Sequence, residues 1–214
     1  MNDPYLYPGT ETLINLFGER DDERLKEIEA DYTGFRIREL MDSPVQGSYD
    51  SSHLYRLHQY IFQDIFEWAG NIRTINIEKS ESVLGGLSVE YSDITDIEQH
   101  LDASLHQLRK IDWRSLGIQE KARIFSQCMT DIWKIHPFRE GNTRTIITFC
   151  CDFAGKNNFP LDRGLFKDNS AYVRTALVAA SAVFHDLGDK SNLEYLVRIM
   201  QDAIERGGTN REGK

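Results

Sequence analysis

The stretch HPFREGNTRT, from His136 to Thr145, gathers an imidazole, a carboxylate, a Gly-Asn pair and two arginines. The residues before it, IFSQCMTDIWKIH, carry a helical period that Pro137 interrupts, and NTRTIITFC resumes a helix with Asn142 as its N-cap. The loop therefore aims at a helix start, where unpaired backbone N–H groups and a partial positive charge suit phosphate. Gly141 lets an anion approach the backbone, and Arg144 can grip phosphate oxygens in a fork. Glu140 would repel a bare phosphate, a conflict that a magnesium ion bridging carboxylate and phosphate resolves. His136, at the loop entrance, is placed to take a proton from an incoming hydroxyl. Taken singly, each of these residues is more often structural. Their clustering at one helix start points to phosphoryl or nucleotidyl transfer.

The elements that must position this loop are mostly helices. SSHLYRLHQYIFQDIFEWAG places Leu54, Leu57, Ile61, Ile65 and Trp68 near one face, starts on capping serines and stops at Gly70. DITDIEQHLDASLHQLRKI and IQEKARIFSQCMTDIWKIH repeat the pattern, the second through Ala122, Phe125, Met129 and Trp133. Further helices follow in NTRTIITFCCDFAGKN, NSAYVRTALVAASAVF and NLEYLVRIMQDAIERGG, the last stopped by Gly207-Gly208. The exception is NIRTINIEKSESVLGGLSVEY, where β-favouring residues alternate up to Gly85-Gly86, predicting a short β-hairpin over about 72–91. A single all-α domain over 1–206 results, with a flexible tail at 207–214.

The 214 residues are 40% hydrophobic and 28% charged, as in globular proteins, and the formal charge of −9 disfavours binding to nucleic acid or anionic lipid. The opening MNDPYLYPGT has neither a basic start nor an apolar run, and no stretch is apolar enough to span a membrane, so the cytoplasm is the expected location. Cys128, Cys150 and Cys151 read as buried reduced thiols, and His53 and His58, five apart on one helix, as surface or capping residues.

HPFREGNTRT resembles the Fic signature, His-Pro-Phe-x-(Asp/Glu)-Gly-Asn-Gly-Arg-x-x-Arg, from His136 to Arg144 with Thr143 in place of glycine. IFEWAGNIRTINIEK and DPYLYPGT resemble segments of the same family, so the similarity covers nearly the whole chain, most specifically 53–180. It implies a Fic-type helical bundle with a small hairpin flap that transfers AMP from ATP to a hydroxyl of another protein. His136 would be the base and Glu140 the magnesium ligand. The loop of Arg139, Gly141, Asn142, Thr143 and Arg144 would hold the ATP phosphates, while Phe138 anchors it in the core. Asn169 and Tyr172 fall where the nucleotide base would sit, Tyr172 serving equally well as core. Lys79, Val83, Leu84 and Leu87 would belong to the flap, binding an extended target segment by strand addition. The resemblance also allows phosphoryl or phosphocholine transfer on the same fold, or a non-catalytic module that binds proteins through the flap. Gly141 favours adenylylation, because related phosphotransferases commonly carry alanine there. Such proteins include toxin halves of bacterial toxin–antitoxin pairs, which makes a small antitoxin-like inhibitor a partner to consider.

Two positions depart from the pattern. Thr143 keeps its backbone N–H, so the cradle survives. Ile147 replaces the second arginine and cannot hold a γ-phosphate. Many relatives carry an inhibitory glutamate in a Ser/Thr-x-x-x-Glu-Gly/Asn helix that pairs with that arginine. Here only Thr74 has a glutamate four residues later, Glu78, inside the expected hairpin, and the tail Glu212 follows helix-disfavouring glycines. The expectation is a chain without the glutamate lock.

Overall fold

The apolar stripe at Ala122, Phe125, Met129, Ile132 and Trp133 is buried along the whole of helix α4, Ile118–Ile135, and this helix is the axis of the molecule. In the computed structural model, which describes residues 3–212, α4 packs against α3 (Ile97–Lys110), α5 (Asn142–Lys156) and α8 (Glu194–Glu212). Leu101, Leu105 and Leu108 close one flank and Leu196, Met200 and Ala203 the other. Helices α1 (Asp22–Asp42) and α2 (Ser51–Phe62) form a second layer, with α2 against α5, and α6 (Arg163–Asp168) and α7 (Ser170–Ala180) cover the far end. The fold is the helical bundle that the periodicity predicts.

Four elements differ from the expectation, each for a physical reason. The segment 72–91 is not a paired hairpin. At their base the arms are bridged by the Arg73 guanidinium, which donates to the carbonyls of Ile75 and Ser92, and beyond it the backbone bonds between them are confined to Glu81 with Gly86 and Leu87 around a 3₁₀ turn at Ser82–Leu84. The antiparallel strands lie elsewhere: β1 (Val183–Phe184) pairs with β2 (Gly188–Asp189), at the end of a stretch read as helix. Helix α2 stops at Phe62 and continues as turns to Gly70. The tail expected to be flexible continues α8 to Glu212, and residues 213–214 lie outside the described residues. Gly207 does not end this helix. A side chain there would meet the Pro160 carbonyl oxygen at 2.0 Å, so the glycine is what allows α8 to pack so closely.

Helix α1 was not anticipated from the sequence. Its buried positions are Leu25, Glu29, Thr33 and Leu40, so half of its inner face is polar. Asp21 caps it by accepting from the Arg24 N–H.

Candidate active site

The motif loop joins α4 to α5, and each of its residues has an assigned place. His136 ends α4 in the left-handed region, φ 52°, and its carbonyl and that of Pro137 accept from Arg73. The ring is 2% exposed, stacked on Tyr91 at 4.1 Å and met edge-on by Trp133. Nδ1 donates to the Trp133 carbonyl at 3.3 Å, which leaves the Nε2 lone pair without a partner among the described residues. Burial, and then the Lys79 ammonium nearby, hold this imidazole well below the ordinary histidine value. A neutral ring with a free Nε2 is the form a general base requires.

Phe138 is fully buried, as expected, and the Asn142 amide closes the loop around it, accepting from the Phe138 N–H and donating to its carbonyl. The Asn142 side chain therefore braces the loop; the helix cap is Gly141, at φ 80°. The N–H groups of Asn142, Thr143 and Arg144 have no acceptor among the described residues, so three donors converge at the start of α5. Thr143 turns its hydroxyl inward and accepts from the buried Trp133 indole at 2.9 Å. The departure at this position thus satisfies a polar group of the core. Thr143→Gly is expected to cost about 2–3 kcal/mol, from an unpaired indole N–H and lower helix propensity, while Thr143→Ser stays near wild type. Urea unfolding of the two variants checks this.

Glu140 accepts from Lys79 Nζ at 2.9 Å and from the Gly141 N–H at 3.0 Å. Burial alone would raise its pKa, but Lys79 and that N–H outweigh it and hold the carboxyl at about 2. Arg139 is drawn away from the helix start to Asp3, at 2.7 Å. Arg144 pairs with Glu29 of α1, donates to Thr33 Oγ1 at 3.0 Å and lies over the Phe62 ring. Glu29 thus engages the first arginine of the motif, a contact that the sequence did not indicate. Ile147 packs against the core. Asn169 is exposed and donates to the Leu165 carbonyl, Tyr172 is half exposed, and neither makes a hydrogen bond to the motif loop. Val83 and Leu87 are exposed at the flap, whereas Leu84 packs inward.

Sequence reasoning missed four residues that build this site: Arg73, His58, Phe62 and Glu29. His58 is buried, not on the surface, and stacks on Phe138 at 3.8 Å. Its Nε2 donates to the Glu140 carbonyl at 3.1 Å while Nδ1 accepts from the Gly70 N–H at 2.8 Å. A signal existed, since His58 lies four residues after Leu54 and three before Ile61, on the apolar stripe itself. His53 is likewise buried, donating to the Val45 carbonyl.

Burial pushes His58 down to about 3, and His136 and His53 downwards as well. Each takes up a proton near pH 6.5 only when unfolded, so its contribution is present above that pH and lost as the pH falls. Stability is therefore expected to decline from pH 6.5 towards 4.5, with a slope approaching about 1.4 kcal/mol per pH unit from His58, whose folded value lies below that window, and with further loss in the same direction from His136 and His53. Urea midpoints across that window test it; a flat profile would contradict the buried neutral rings.

A helix start with three free N–H groups, a carboxylate and a buried neutral imidazole defines a helical protein able to seat a phosphate beside a base. A model of the Fic/DOC family matches residues 48–154. Protein adenylyltransferase VbhT of Bartonella schoenbuchensis is 32% identical over 162 residues, covering 75% of this chain and 32% of its own length. The probable protein adenylyltransferase y4lH of Sinorhizobium fredii is 33% identical over 164 residues, covering 76% and 80%. The crystal structure of BepC from Bartonella tribocorum, with bound AMPPNP, shares the fold at a TM-score of 0.76 and 22% identity, covering 93% of this chain and 95% of that one. The chain belongs to the Fic/DOC family. It spans about a third of the length of VbhT, and among its described residues no helix is long and apolar enough to cross a membrane.

Proposed function

We propose that this protein transfers AMP from ATP to a hydroxyl side chain of another protein. The observation that carries the reading is the buried, neutral His136 with its unpartnered Nε2 beside the free N–H groups that open α5. The target hydroxyl would give its proton to Nε2 as its oxygen bonds the α-phosphorus. The bond from that phosphorus to the bridging oxygen breaks, and pyrophosphate leaves. The N–H groups of 142–144 would receive phosphate oxygens, with Arg144 adding charge once it turns from Glu29.

Glu140 is one carboxylate, and no cluster of three metal-ligating side chains exists among the described residues. That donor set suits magnesium arriving with ATP phosphates and not a resident metal. Magnesium bound there would offset phosphate charge, and Lys79 would have to give up Glu140 to admit it. The flap side of the site, with Val83 and Leu87 exposed, would take the target segment.

Incubation with magnesium and α-labelled ATP, with His136→Ala alongside, tests the reading. Label on protein that falls at least about a hundredfold in the variant is the expected result. Transfer from γ-labelled ATP alone would replace the proposal with phosphoryl transfer, and no transfer would refute it.

A further inference from the structure

Beside the base, the extended arms 76–78 and 87–93 and the β1–β2 turn enclose an open cleft of about 620 Å³. Four carboxylates line it, those of Glu78, Glu90, Asp93 and Asp186, and no lysine or arginine does. We propose that this cleft binds a basic segment of the target, an extended run with lysine or arginine flanking the hydroxyl to be modified. The inference rests on the adenylylation reading and names the substrate class for it.

Three further observations support it. The backbone N–H and C=O groups of Ile77, Glu78, Ser88 and Glu90 are almost all unpaired among the described residues, so an extended chain has donors and acceptors to join. Tyr91 lines the cleft and stacks on His136, so a chain lying in the cleft passes beside the base. Leu87 and Leu187 stand exposed at its lip, ready to cover the aliphatic stems of cationic side chains.

The acidity is not cancelled from within. Glu78 has no ion-pair or hydrogen-bond partner among the described residues. Glu90 accepts the His185 backbone N–H, Asp186 accepts from the exposed His185 ring, and Asp93 is capped by Thr95 and Asn76, which keep it ionised. The one full cation acting on this group is the buried Arg73 near Asp93, a single positive charge against four carboxylates, so the cleft keeps a negative field that like-charged targets would have to overcome.

The test is fluorescence anisotropy of the full chain, without nucleotide, against short peptides alternating serine with lysine or serine with glutamate. The lysine peptide is expected to bind about tenfold or more tightly than the glutamate peptide, with the gap narrowing as salt rises. Glu78→Lys combined with Asp186→Lys balances the remaining Glu90 and Asp93 and should remove the preference, and the milder Glu78→Gln with Asp186→Asn should shrink it; both pairs sit on exposed side chains. Equal binding of the two peptides would overturn the proposal. So would a lysine preference left undiminished in both variants, since that would reflect the overall charge of −9 and not this cleft. Label transfer from α-labelled ATP is scored separately: transfer without peptide preference removes the cleft and keeps the activity, and preference without transfer does the reverse.

Discussion

Arg73→Met is expected to lower the unfolding free energy by about 3–4 kcal/mol and to cut the proposed AMP transfer at least tenfold. Arg73 is 2% exposed and meets no carboxylate; its guanidinium donates to the carbonyls of His136, Ile75 and Ser92 and to Asn76 Oδ1. Methionine fills the space of the stem but leaves those acceptors buried without donors, a loss only partly offset by removing a desolvated charge. Because one of the bonds holds the His136 carbonyl, the same change loosens His136 and the arm of the acidic cleft together. Lysine should rescue little, since one ammonium cannot reach four acceptors arranged for a planar fork. Urea unfolding and labelling of both variants decide the matter, and a loss below about 1 kcal/mol would show that the guanidinium is not the brace described.

Gly141→Ala is expected to cost about 2–4 kcal/mol and to abolish most of the proposed transfer, combining a left-handed backbone with overpacking. At φ 80° the added carbon would stand 2.2 Å from Phe62 Cζ and 2.4 Å from Cε2. Phe62 cannot retreat, being fully buried and stacked on His58 at 4.6 Å. Phe62→Leu in the same chain should recover part of the loss, because the two changes act on one contact and so are not additive. Full additivity in a double-mutant cycle would refute the contact as the cause. The contact also bears on the choice of donor. The alanine common in related phosphotransferases does not fit this site without a change at Phe62.

The helices of the core were legible because their apolar spacing is independent of partners. α4 buries the residues that its period marks, and Phe138 anchors the loop as its type suggests. The segment 72–91 misled for a specific reason. Alternation of β-favouring residues predicts an extended chain, and the chain is extended, but pairing depends on what lies between the arms, and there it is the Arg73 side chain. Gly207-Gly208 misled similarly, since a glycine that ends a helix in isolation can serve to bring that helix against a neighbouring carbonyl.

By itself the sequence determined the helical class, the loop at a helix start and the chemistry of its residues, since periodicity, Pro137 and the mixture from His136 to Arg144 are local facts. Only the tertiary structure decided what each charged group faces. Arg144 meets Glu29 across 115 positions and Lys79 meets Glu140 across 61. Glu29 and Thr33 belong to a helix that the sequence did not announce, and they lie buried beside Arg144 only because α1 packs there. The physical reason is that an ion pair formed over such a separation leaves no periodic trace in either partner. Its energy depends on burial and geometry that exist only once the layers have assembled.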